Sequence, residues 1–224
     1  KNSSTHRKNR LVFTGTLGLE NPDHTKRYNY LEKLSSMVPV DLFSDEIHYR
    51  KTKKHLLIET RHKVSKNLSK KLGIYTPISL KSWADKNNQP HFPPTTPNHL
   101  INSLNKAVYG RDMLEKLLEY KICFNNHNQA TGDSACNMRL FEATGMGCCL
   151  LTDHKSDIHT LFEPNVEVLT YKSSEDAVEK AKFLLNNPHT AKQIAEAGQK
   201  KTFSNHTTQN QVDKLVYYLN NLLN

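Results

Sequence analysis

Short apolar runs alternate along the chain with stretches whose apolar residues recur at helical spacing. Leu11, Val12, Phe13 and Thr14 read as a buried strand that ends in a turn, Gly15-Thr16-Leu17-Gly18. Asp23 follows as an N-cap for a helix over 24–37, with Tyr28, Leu31 and Leu34 along one side. A second strand is predicted over 38–43, with Pro39 near its start. From Tyr109 onward the alternation becomes regular. It predicts a helix over 111–120 carrying Met113, Leu114, Leu117 and Leu118, then a strand over 121–125. A loop at 132–135 leads to a helix over 137–145, with Leu140 and Phe141 inward, and a strand over 148–152. A short helix over 157–162 closed by Pro164, a strand over 166–171, and helices over 174–185, 188–203 and 207–223 complete the pattern. Pro188 suits a first helical position, and Ser173 or Ser174 offers a cap with Glu175 and Asp176 in the first turn. Strands alternating with helices of this length predict a parallel sheet covered by helices on both faces.

The stretch 45–106 interrupts that pattern. Its first part is basic and helical in places, since Leu68 and Leu72 keep helical spacing among lysines. Its second part, 76–97, holds five of the nine prolines and the single tryptophan, Trp83, and reads as an extended, irregular loop. Asn98 is expected to cap a helix over 98–107. Residues 1–10 are polar and read as disordered or a linker, which leaves 11–224 as one domain containing 45–106 as a basic, Pro-rich insertion. A chain that opens Lys1-Asn2-Ser3 reads as a segment of something longer.

With 224 residues, 36% of them hydrophobic, the chain is ample for a buried core and too apolar for a disordered tail. No apolar run approaches the roughly 20 residues of a spanning helix. The net charge of +9 is unevenly placed. Residues 1–106 carry 19 basic and 8 acidic side chains, whereas 107–224 carry 12 and 14. Nine of the basic residues, against the single acid Glu59, fall within 50–71. Such a segment suits a polyanion or an anionic membrane face. The cysteines, Cys123, Cys136, Cys148 and Cys149, form no CxxC pair and match no zinc pattern, so they read as buried reduced thiols. The twelve histidines are dispersed, without HExxH.

In open parallel sheets, ligands bind beyond the carboxyl ends of the strands. That rule selects 15–18, 41–44, 125–128 and 152–153 before any other criterion. Gly15 and Gly18 allow close backbone approach to a phosphate, although GTLG is equally a plain tight turn. His127 and Asn128 end a strand, where a histidine either faces a ligand or serves the core. On the helix over 137–145, Arg139 and Glu142 are three residues apart and form either a surface ion pair or part of a site.

The run Asn137-Met138-Arg139-Leu140-Phe141-Glu142-Ala143, continued by Gly145-x-Gly147 into Leu150-Leu151-Thr152-Asp153, resembles the C-terminal, donor-binding domain of two-Rossmann-domain (GT-B) glycosyltransferases. It is most similar to the spore-maturation-type branch and to the wider family-4-like glycosyl transferases group 1. Tyr109-Gly110-Arg111-Asp112-Met113, the strand to Asn125, Phe162-Glu163-Pro164 and Ala195-Glu196-Ala197-Gly198 extend the likeness over 107–203. The stretch 11–43 resembles the domain's first βαβ unit less specifically, and 45–106 matches nothing in it.

The resemblance implies a Rossmann-like α/β domain, the C-terminal half of a GT-B fold, that binds a UDP-, GDP- or CMP-linked sugar as donor without a metal or other cofactor. It implies that Glu142 accepts hydrogen bonds from the ribose hydroxyls, an acceptor-only group taking two donors. Arg139 and the backbone N–H groups near Gly15 and Thr16 would neutralise the diphosphate, whose charge grows as the sugar departs. His127 would face the sugar, and Asn137 belongs to the same nucleotide-sugar-binding set. The family's second glutamate falls on Ser134 here, and its phosphate-gripping Arg/Lys pair after the first strand is not recognisable, so neither catalytic residues nor stereochemistry are implied.

The expected partners are the donor, a glycan or lipid-linked acceptor in surface-polysaccharide synthesis, and an N-terminal domain across the cleft. The isolated chain should then bind donor but turn over poorly. The expected place is the cytoplasm, with peripheral contact at the inner face of an anionic membrane. A non-catalytic nucleotide- or glycan-binding module on the same scaffold is the alternative. A nucleic-acid partner for 50–71 is disfavoured, since that segment holds no Phe, Tyr or Trp for base stacking.

Overall fold

A computed structural model describes residues 7–18, 25–45, 53–73 and 96–223. Its elements are β1 (Lys8–Thr14), α1 (Thr25–Met37), β2 (Val40–Phe43), α2 (Lys53–Leu72), α3 (Asn98–Ser103), β3 (Leu104–Asn105), α4 (Gly110–Leu118) and β4 (Tyr120–Phe124). They continue with α5 (Arg139–Gly145), β5 (Cys149–Asp153), β6 (Leu169–Tyr171), α6 (Ser174–Asn186), α7 (Pro188–Asn205) and α8 (Thr208–Leu223), with one-turn 3₁₀ helices at Gln129–Thr131 and Ile158–Thr160. The chain divides into two compact units, one formed by 1–46 with 99–224 and the other by 47–98.

The larger unit is the doubly wound α/β domain that the alternation predicts. Its six strands run in the order β3-β2-β1-β4-β5-β6, and every neighbouring pair is parallel. Successive residues of one strand serve opposite faces, so a strand apolar throughout must be buried on both. In β5, Cys149 and Leu151 join the core formed with α1, α6 and α7, whereas Leu150 joins the core formed with α4 and α5. Leu11 and Phe13 against Val12 in β1, and Ile122 and Phe124 against Cys123 in β4, divide in the same way.

Several boundaries move for identifiable reasons. The first strand begins at Lys8, because its polar residues are tied down individually. Lys8 pairs with Glu119, the Asn9 amide donates to the Leu185 carbonyl, and Arg10 grips Asp41 at 2.7 and 3.1 Å. Arg7 donates to the carbonyls of Met146 and Gly147 at 2.8 Å and of Tyr120 at 3.2 Å. Residues 1–6 lie outside the described residues. The helix begun at Asn98 stops at Ser103, because Leu104 and Asn105 leave it to pair with β2 at the sheet edge. The helix expected over 157–162 is a single 3₁₀ turn, and β6 keeps only the three residues that reach β5. Cys123, Cys148 and Cys149 are buried as expected, but Cys136 is exposed, on the loop before α5. The proline-rich loop expected over 76–97 lies almost entirely outside the described residues. Of the smaller unit, the structure describes α2, a 20-residue helix, with Gly73 and 96–98.

Candidate functional site

Strand order reverses between β1 and β4, because β1 connects on toward β2 and β4 toward β5. The crevice beyond the carboxyl ends of β1 and β4 is therefore the topological switch point where such sheets hold ligands. Val12 and Cys123 are in register. Two residues further on come Thr14 and Asn125, the first polar positions of a layer that closes the top of the sheet.

That layer is hydrogen-bonded across four elements. Asn125 donates its amide to the Thr152 hydroxyl at 3.0 Å and accepts from the Asn137 amide at 2.9 Å. Asn137 in turn accepts the backbone N–H of Arg139 at 2.8 Å, which sets the start of α5. The Tyr171 hydroxyl donates to the Asn125 carbonyl at 2.8 Å and accepts from the Asn126 amide at 3.0 Å. Tyr171 is fully buried, and that burial drives its phenol well above the ordinary range, so it stays a neutral donor.

His127 follows in the same loop, its side chain wholly buried. Its backbone N–H and its Nδ1 both contact Asp153 Oδ1, at 2.9 and 2.7 Å. Burial pushes the Asp153 carboxyl upward, but the hydrogen bonds from His127 and the nearby Lys155 ammonium outweigh it and hold the carboxyl below its ordinary range. A carboxylate can only accept, so Nδ1 carries the proton and Nε2 is left as a lone-pair acceptor in the neutral ring. Among the described residues, that Nε2 is buried without a hydrogen-bond partner, as is the Thr14 hydroxyl at the end of β1.

Arg139 and Glu142 form the ion pair their spacing predicts, at 2.8 Å. The pair is no free surface feature, with side-chain exposures of 16% and 26%. Arg139 also donates to the Thr14 carbonyl at 3.3 Å, which ties α5 to the end of β1.

Of the six residues singled out from sequence, His127, Asn137, Arg139 and Glu142 are brought together around the ends of β1 and β4. Gly15 and Thr16 occupy the turn after β1. Gly15 has φ +141°, a conformation that favours glycine. Its N–H, however, is committed to the Phe43 carbonyl at 3.1 Å, so Gly15 contributes a backbone shape rather than a free donor. The Thr16 carbonyl and hydroxyl accept from Arg27 at 3.3 and 3.2 Å.

Arg27 is the residue that sequence reasoning passed over, and Asp153, within the selected strand end 152–153, was given no role. Arg27 is buried in α1 and bridges Thr16 to the Asn126 carbonyl at 2.9 Å, joining the loops after β1 and β4. The signal was present, since Arg27 shares the inward stripe of Leu31 and Leu34 at spacings of four and seven. Among the described residues, no group of three or more His, Cys, Asp or Glu is arranged to hold a metal ion, and no helix is long and apolar enough to cross a membrane.

The strand order and this polar crest define a Rossmann-type α/β domain with a candidate site at its switch point. A family model described as glycosyl transferase-like matches residues 57–217, and the chain belongs to that family. Its fold is also that of solved glycosyltransferases. A glycosyltransferase from Rickettsia africae aligns over 95% of this chain and 47% of its own, at 12% identity and a TM-score of 0.58. Alr3699/HepE of Anabaena, solved in complex with UDP, aligns over 94% of this chain and 48% of its own, at 11% identity and a TM-score of 0.56. A sucrose-phosphate synthase from Thermosynechococcus elongatus aligns over 93% and 45%, at 11% identity and a TM-score of 0.53. The chain thus spans about half the length of the solved structures it matches. No curated protein matches it.

Proposed function

We propose that the chain is the donor-binding half of a GT-B glycosyltransferase, taking a nucleotide-diphosphate sugar into the crevice beyond β1 and β4. The observation that carries the reading is the half-buried Arg139–Glu142 pair, anchored on the carbonyl that ends β1 at the switch point. Complexes of the fold relative HepE with UDP and with UDP-glucose support it by analogy. Glu142 accepts the ribose hydroxyls through the carboxylate valences that Arg139 leaves open. Arg139 supplies the positive charge that a departing diphosphate requires, a role that asks for no metal. His127 Nε2, held as an acceptor by Asp153, takes a hydroxyl of the sugar. Arg27 and Asn137 position the loops without touching the donor. Transfer to a glycan or surface-polysaccharide acceptor needs a second, N-terminal domain, in keeping with a chain half the length of its structural relatives. Such an enzyme works in the cytoplasm.

The test is a thermal-shift panel of UDP, GDP, CMP and their sugars. One nucleotide should raise the melting temperature, because a ligand that binds only the native state stabilises it. Glu142→Ala should abolish that shift while leaving the unliganded protein folded. A shift that survives the substitution would remove Glu142 from the site, and a panel with no shift at all would refute donor binding.

A further inference from the structure

The basic helix α2 carries an exposed apolar stripe. Leu57, Val64, Leu68 and Leu72 recur at intervals of seven, four and four residues, which gathers them within an arc of about 80°. Leu57, Val64 and Leu72 are 57%, 52% and 65% exposed. A shallow groove of about 290 Å³ runs beside the stripe, lined by Val64, Asn67, Leu68, Lys71 and Leu72. Lys53 and Lys71 lie about 20° outside one edge of the stripe, Lys63 and Lys70 lie further round the helix, and Arg61 lies within the stripe on a stem long enough to carry its charge outward. All five of these cations are exposed, and the helix has one acidic residue, Glu59.

We propose that α2 is a membrane-surface helix that lies in the headgroup layer of an anionic bilayer, with Leu57, Val64, Leu68 and Leu72 entering the acyl boundary. A bilayer is the one polyanion that accepts both features together. Its phosphates match the lysine edge, and its hydrocarbon takes up a leucine stripe that would otherwise stay in water. Nucleic acid would neutralise the lysines but leave the apolar stripe exposed. The inference stands independently of the donor reading, since it uses no residue of that site.

The test is co-sedimentation of the full chain with vesicles of phosphatidylcholine alone or with about one-third phosphatidylglycerol. Binding is expected to the anionic vesicles only, and to weaken between about 50 and about 300 mM NaCl. The triple variant Leu57→Gln, Val64→Gln, Leu72→Gln should lose tenfold or more in partitioning, since each removes about half a side chain's worth of apolar burial. Lys53→Glu with Lys71→Glu should lose at least about fivefold per cation. Circular dichroism of each variant separates loss of the surface from loss of fold, and the two sets of substitutions change different chemistry, so misfolding of one leaves the other decisive. Failure to bind anionic vesicles, or unchanged partitioning by the folded triple variant, would overturn the proposal. So would an RNA of about 20 nucleotides that displaces the vesicles and still binds the triple variant fully.

Discussion

Asp153→Ala removes the acceptor on which the loop after β4 is hung. In the native chain one oxygen, Oδ1, takes the His127 backbone N–H at 2.9 Å and Nδ1 at 2.7 Å. The Lys155 ammonium stands 3.8 Å from the other oxygen, and the Asp153 side chain is only 17% exposed. Truncation leaves two donors buried with nothing to accept them. Each hydrogen bond to a charged partner is worth about 1.5–3 kcal/mol, and the ion pair adds about 1 kcal/mol at most, so a loss of about 3–7 kcal/mol is expected. Asp153→Asn keeps an acceptor oxygen without the charge and should cost about 1–2 kcal/mol. The pH dependence separates this mechanism from simple cavity formation. The folded carboxyl lies below its ordinary range, so its contribution is complete above the unfolded value near 3.9 and is lost as pH falls through the folded value. Urea unfolding followed by circular dichroism at about pH 7, 5 and 3 should show the gap between wild type and Asp153→Ala holding at the first two and narrowing at the third. The other depressed carboxyls, Asp41 and Asp176 among them, titrate in both proteins and cancel in the difference. A gap under about 1 kcal/mol at neutral pH, or one that does not narrow in acid, would refute the reasoning.

The packing of α7 makes Gly198→Ala informative, because an added Cβ would lie 2.3 Å from the Glu167 carbonyl oxygen and 3.3 Å from Thr144 Cγ2. The clash should outweigh the gain of about 1 kcal/mol in helix propensity and destabilise by about 1–3 kcal/mol net, and a higher melting temperature would show that the helix moves aside freely. Burial pushes the Cys148 and Cys149 thiols up to about 12, so the fold is favoured while they stay neutral. Their contribution is complete below the ordinary thiol range and falls as pH rises toward 12, at roughly 1.4 kcal/mol per pH unit for each thiol, which chemical unfolding between about pH 8 and 11 would measure. Arg7→Ala strips donors from three carbonyls, those of Tyr120, Met146 and Gly147, and should cost about 2–4 kcal/mol by the same assay. Arg7→Lys should recover less than half, since one ammonium cannot reproduce the spread of the guanidinium fork.

The α/β class was legible because a strand such as Cys149–Asp153, apolar at consecutive positions, has to be buried on both faces. The strand order was not, because β1 pairs with β4 across more than a hundred residues and no local signal encodes that pairing. The same limit hid the partner of His127. Its position at a strand end was visible, but Asp153 meets it only once β4 and β5 lie side by side. Lys8, Asn9 and Arg10 read as linker because propensity averages over a window, whereas each is held by a specific distant group. Arg139 and Glu142 were legible as a pair from spacing alone. What spacing left out was the Thr14 carbonyl, which turns a local ion pair into a link between α5 and the end of β1.

The cost of the polar crest argues for its use. A core closed with leucine would need none of the hydrogen bonds that Asn125, Asn126, Asn137, Thr152 and Tyr171 exchange, and networks of this kind rigidify only when every member is satisfied. Here the members that bridge elements are satisfied, while two atoms at the ends of adjoining strands find no partner among the described residues. The Thr14 hydroxyl ends β1 and His127 Nε2 closes the turn out of β4, and each forgoes a hydrogen bond worth about 1–3 kcal/mol in a buried setting. Asp153 keeps a proton on Nδ1, which makes Nε2 an acceptor in the neutral ring, and the network holds the loop that carries it. A ligand bearing hydroxyl donors is the chemistry that answers such a buried acceptor, and a nucleotide sugar brings several. It follows that donor binding should depend on the Asp153–His127 pair as a unit, with Asp153→Asn and His127→Phe each weakening sugar-nucleotide binding more than binding of the nucleotide alone.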